Sequence, residues 1–170
     1  MSIENVSPKM QKRFNILDKL SDGEYIKPIK PVGNSLCFAI NKTSKYNSAS
    51  PELKKELEHS MFSWYAFFLA PFAFTQTKLA RDYFVFISII FAIYCLLQLP
   101  TYISTGISAG VRLAMSQAFT FSRYYQYKTY GKCPHNRNVF STICLGLIGY
   151  FLALIPGIII TMLFYPNTIK

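Results

Sequence analysis

Apolar positions along the chain fall into two regimes that meet near Ser60. Before that point they are sparse and mixed with charge. Met10, Phe14 and Leu17 recur at helical spacing after Ser7-Pro8, a cap residue followed by proline at the first helical position, and the pattern ends at Gly23. Lys9, Lys12, Arg13 and Lys19 accompany this stripe. A basic amphipathic helix is therefore predicted, either lying on an anionic membrane surface or packing on the rest of the N-terminal region. Lys27-Pro28-Ile29-Lys30-Pro31 reads as extended, Ser35 to Ile40 as a short strand after a Gly33-Asn34 turn, and Asn41 to Ser50 as a polar linker. Ser50-Pro51 repeats the cap signal, and the spacing of Glu52 with Lys55 and of Lys54 with Glu58 marks a solvated helix face. That helix is expected to run straight on into the apolar stretch beyond it.

After Ser60 the chain becomes a series of apolar runs. Residues 61–77 are rich in aromatic side chains, but Pro71 interrupts them and Lys78, Arg81 and Asp82 close them off. Residues 83–103 carry no charge and have the length a bilayer core of about 30 Å requires. Residues 105–122 are weaker, with Arg112, Ser116, Gln117 and Thr120, while 139–165 are long and uncharged, with Pro156-Gly157 as a kink point. The pattern predicts an all-α integral membrane protein: a polar, basic N-terminal region over residues 1–60, three to four apolar membrane segments over 61–165, and a short tail over 166–170.

Composition agrees with this reading. Half of the 170 residues are hydrophobic and only 15% are charged, low for a soluble domain, and seven of the eight acidic residues precede Ser60. The net charge of +10 does not form one basic block; the cations flank the apolar runs, which points to the positive-inside bias of membrane proteins and not to nucleic acid. Cys37, Cys95, Cys133 and Cys144 form no C-x-x-C pair, and Cys133 and His135 have only His59 as a further histidine, so neither a disulfide framework nor a metal site is expected. Met1 to Asp22 is charged throughout and lacks the apolar core of a secretory signal, which leaves membrane targeting to the internal segments.

Charge also bears on topology. If all four segments cross, Lys42, Lys45, Lys54, Lys55 and Lys170 lie on one side against Lys78, Arg81, Arg123, Lys128, Lys132 and Arg137 on the other, and the split decides nothing. If residues 61–77 enter and leave by the same face, every one of these cations except Lys170 becomes cytoplasmic, and Gln98 to Gly110, with no charge, becomes external. A re-entrant 61–77 is the preferred expectation over a full crossing, with the N-terminus cytoplasmic.

The run Phe62-Ser63-Trp64-Tyr65-Ala66-Phe67-Phe68, then Pro71 and Phe72, a basic turn, an apolar helix, and a later helix ending in tyrosines and basic residues before Gly131, resembles a family of small bacterial inner-membrane proteins of unknown function. A W-x-A-F-F-x-x-P membrane entry is their signature. The chain departs from that pattern in having Ala73-Phe74-Thr75-Gln76-Thr77 where a tryptophan and a tyrosine-arginine run would stand, and in its long last segment. The resemblance implies a multi-pass protein of the bacterial cell inner membrane and no assigned activity.

Candidate chemistry is concentrated in the third segment. Gly106, Gly110, Ala114, Ala118 and Ser122 recur every fourth residue, the small-residue pattern that lets helix backbones approach in lipid, and Gly149, Ala153 and Gly157 repeat it in the last segment. These two faces are expected to cross, within the chain or between two copies. Beside the first runs a polar stripe of Ser108, Arg112, Ser116 and Thr120. An ionisable residue inside a membrane segment marks a candidate site, against the alternative that Arg112 snorkels to the interface. The tyrosines and cations of Arg123 to Arg137 read as a loop forming an aromatic belt at anionic lipid.

No phosphate-binding glycine loop, H-E-x-x-H or G-x-S-x-G motif occurs, and no cofactor is expected. The residues thus suggest a non-enzymatic protein that meets the lipid bilayer and another membrane protein, or itself, as an assembly, immunity or exclusion-type factor. A small transporter or channel component built on Arg112 is the alternative, and a membrane enzyme the second alternative, without the usual acid, base and metal groupings.

Overall fold

The computed structural model describes residues 5–21 and 44–166. The expected extended segments at Lys27 to Pro31 and Ser35 to Ile40 lie outside the described residues. Seven helices make up the described chain: α1 (Pro8–Leu20), α2 (Ser44–Ser48), α3 (Pro51–Met61), α4 (Trp64–Gln76), α5 (Ala80–Leu97), α6 (Thr101–Tyr130) and α7 (Val139–Phe164). The single turn α2 falls in what the composition suggested was a structureless linker.

Both Ser-Pro signals start helices as expected. Ser7 accepts a hydrogen bond from the Met10 N–H and Ser50 from the Leu53 N–H, each satisfying one of the donors left over in a first turn. The stripe of α1 does not face a membrane surface. Phe14, Ile16, Leu17 and Leu20 are buried with Leu57 and Met61 of α3, Tyr124 of α6 and Cys133, so α1 is a packing helix. Each such side chain contributes roughly 1.5–3 kcal/mol on burial.

α3 does not run into the aromatic stretch as expected. Phe62 is extended (φ −68°, ψ 128°) and Ser63 starts α4 by accepting from the Ala66 N–H. The freed backbone groups find partners elsewhere: the Met61 carbonyl accepts from Thr120, the Phe62 carbonyl from Arg13, and the Ser63 N–H donates to the Ser116 carbonyl. α4 is itself bent. Leu69 is non-helical (φ −124°, ψ 38°) two residues before Pro71, where the missing N–H and the ring clash interrupt a helix.

Among the described residues, α5 and α7 are the two helices long and apolar enough to cross a membrane, against the three to four membrane segments expected from the sequence. Only 6% and 17% of their most apolar windows are buried, unlike the core helix of a soluble domain; side chains such as Ile89, Ile93, Phe151 and Leu163 face outward. The two helices pack side by side and run in the same direction, since Phe84 meets Gly149, Phe91 meets Gly157 and the Tyr165 hydroxyl donates to the Leu96 carbonyl. α6 connects them. Its 30 residues extend roughly 45 Å, and it continues through the stretch expected to be a loop until Gly131 ends it in the left-handed conformation (φ 69°).

Candidate functional site: a cavity at Arg112 beside a polar joint

The polar stripe of α6 divides between two places. Ser116 and Thr120 are fully buried and belong to a joint with the N-terminal helices. There Arg13 donates through Nη1 to Thr120 Oγ1 (3.2 Å) and through Nη2 to the Phe62 carbonyl (2.6 Å), while Thr120 donates to the Met61 carbonyl (2.9 Å). One arginine thus ties α1, the α3–α4 break and α6 together. Burial lowers the pKa of its guanidinium.

The same stripe runs on to Tyr124, one four-residue step past Thr120. Tyr124 is fully buried: its hydroxyl donates to Asp18 (2.7 Å) and shares a hydrogen bond with Ser21 (3.0 Å), and Lys128 pairs with the same Asp18 carboxylate. Arg123, also buried, donates to Gln126 Oε1 and to the Asn5 carbonyl. Burial pushes the Tyr124 phenol upward, and raises the Cys133 thiol although neighbouring Arg123 pulls it back. The aromatic-belt expectation is therefore corrected at its first residues, which form a core. The signal was present in the continued spacing of Ser116, Thr120 and Tyr124, and in Arg13 sharing the stripe of Met10, Leu17 and Leu20.

Arg112 lies apart from this joint. It lines a cavity of about 370 Å3 bounded by α4, α5, α6 and α7, together with Ser108, Tyr83, Tyr94 and Tyr150. Tyr94 Oη is buried without a hydrogen-bond partner, and Arg112 makes neither an ion pair nor a hydrogen bond among the described residues. No carboxylate lines the cavity.

The small-residue faces also separate. A Cβ on Gly149 would stand 2.3 Å from the Phe84 ring, one on Gly157 2.4 Å from Phe91, and one on Gly146 2.8 Å from Phe72. Ala153 is buried on the same side of α7. The glycines of α7 therefore receive phenylalanines of α4 and α5. The crossing expected within the chain between α6 and α7 is not how they pack: α7 sits on α5 and α4. Gly106 and Gly110 have open space beside them, Ala114 is exposed, and Ala118 is buried in the α4–α6 core.

Among the described residues, no three His, Cys, Asp or Glu side chains stand together as a metal site would need. Compared with known proteins, the chain matches no family model, no curated protein and no solved structure.

Proposed function

We propose that this is a non-enzymatic, multi-pass protein of a bacterial inner membrane, acting through protein–protein contact inside the bilayer as an assembly, immunity or exclusion-type factor. Its topology follows from direction. Two parallel spans joined by one helix require that helix to return across the same thickness, so α6 is read as a third crossing despite its polar stripe. α4, bent at Leu69 and with both ends near the C-terminal half of α6, is read as the re-entrant element, with the N-terminal helices on the cytoplasmic side.

The observation that carries the interaction reading is the first half of α6. From Thr101 to Ala114 no residue is buried, and Gly106 and Gly110 present bare backbone. Such a surface gains little from lipid chains but suits a second helix, whose backbone can approach closely. Cysteine placed at Gly106 or Gly110 should give crosslinked species heavier than the monomer in native membranes, and Gly110→Leu should abolish them. Monomer as the sole product at both positions would overturn the reading.

A second reading, a transporter or channel component, is favoured by the placement of Arg112 in a cavity with tyrosine and serine hydroxyls. Anion flux in proteoliposomes lost in Arg112→Ala would support it, and flux equal to protein-free vesicles would remove it.

A further inference from the structure

The cavity at Arg112 carries a cation and no carboxylate. The guanidinium offers five N–H groups and accepts nothing, and it is the one formal charge among the lining residues. Tyr94, on the same lining, adds a phenol whose oxygen is buried and has no hydrogen-bond partner among the described residues. A cation on a cavity lining that α5 and α7 share, with an unpartnered hydroxyl on the same lining and no carboxylate, is complementary to an anion.

The walls specify the rest of the molecule. Phe68, Ile87, Phe91 and Leu154 are apolar, and Arg112 and Tyr150, on the same lining, remain exposed. A hydrated inorganic anion would find few partners on such walls. The volume is at the small end of the ligand-pocket range of roughly 300–1,000 Å3, enough for a headgroup and the start of one chain.

We propose that this cavity binds the anionic head of an acyl-chain amphiphile, a carboxylate or a phosphate ester, with Arg112 as its ion-pairing group, the Tyr94 hydroxyl as a second donor, and the chain leaving past the exposed Arg112 and Tyr150 into the bilayer. The site is complete within one copy of the chain, so it is independent of the contact proposed for the open face of α6.

The test uses the full chain in nanodiscs of zwitterionic phosphatidylcholine. Photoreactive palmitate and photoreactive phosphatidylglycerol are titrated separately, labelled peptides are mapped, and photoreactive hexadecanol serves as the uncharged control. At least one anionic probe should label the cavity segments of α5 and α6 saturably, and whichever binds more tightly identifies the head as carboxylate or phosphodiester. Arg112→Gln should weaken labelling at least tenfold, Tyr94→Phe about threefold, and Arg137→Gln, outside the cavity, should leave it unchanged. Equal labelling by hexadecanol in the wild-type protein would reduce the site to an apolar groove and overturn the proposal even if Arg112→Gln failed to fold. Displacement of the probes by inorganic phosphate at equal concentration would overturn the amphiphile assignment.

Discussion

The Tyr65 hydroxyl donates to Gln76 Oε1 at 2.9 Å, joining two residues at opposite ends of α4. In a straight helix eleven residues separate Cα atoms by roughly 16 Å along the axis. The bond therefore accompanies the bend at Leu69, where Pro71 breaks the ladder and Phe72 is free to sit over Gly146. The two ends of α4 both reach α6, Ser63 at the Ser116 carbonyl and the Thr77 carbonyl at Gln126.

The bend makes a topological prediction. Single cysteines at Ser63 and Lys78, introduced after replacement of the native cysteines, should both react with an impermeant maleimide from the cytoplasmic side, and neither from outside. Labelling from opposite sides would show that α4 crosses. Tyr65→Phe should leave this pattern unchanged, because one partly exposed hydrogen bond contributes only about 0.5–1.5 kcal/mol and Pro71 remains.

The glycines of the two small-residue faces should respond in opposite ways. Gly149→Ala and Gly157→Ala place a methyl group against Phe84 and Phe91, and overpacking of this kind costs about 1–3 kcal/mol, lowering the thermal midpoint in detergent. Gly106→Ala and Gly110→Ala meet nothing and should hold or raise that midpoint, since alanine favours a helix by up to about 1 kcal/mol over glycine. A reversal of this order would contradict the α5–α7 packing.

Arg13 should be intolerant even of lysine. Its two nitrogens reach Thr120 and the Phe62 carbonyl at once, which a single ammonium cannot do in the same geometry. Arg13→Met leaves the Phe62 carbonyl without this donor, and a loss of about 2–3 kcal/mol is expected, read as earlier unfolding and faster proteolysis at the α3–α4 break.

Stability should fall in alkali. Cys133 and Tyr124 both hold their protons more firmly in the fold than the ordinary 9.0 and 10.0 of a free thiol and phenol. As the pH rises through those ordinary values, the unfolded chain releases protons that the folded chain keeps, so unfolding becomes easier. Well below pH 9, where both groups are protonated in the folded and the unfolded chain, neither contributes a slope. Unfolding midpoints recorded from pH 7.5 to 11 should decline above about 9, and less steeply in Cys133→Ala.

The legible parts of this protein are those set by local chemistry. Ser7-Pro8 and Ser50-Pro51 start helices because cap and proline act within one turn, and Gly131 stops one for the same reason. The uncharged runs of α5 and α7 declare themselves because bilayer thickness imposes a length on any helix that crosses it. Pro71 announces an interruption, though not that Tyr65 and Gln76 would meet across it.

What remained hidden depends on partners distant in the chain. Gly106 and Gly149 look alike in sequence, both small residues at four-residue spacing, yet one faces open space and the other the ring of Phe84. Likewise Arg112 and Thr120 share a stripe, and only packing sends the first to a cavity and the second to Arg13. The sequence by itself determined the Ser-Pro helix starts, the apolar lengths of α5 and α7 and the interruption at Pro71, because those follow from neighbours along the chain. The tertiary structure alone decided that α5 and α7 run parallel, that α7 offers its glycines to phenylalanines, and that Arg112 shares its cavity with tyrosines, because each depends on which helix arrives to fill a given face.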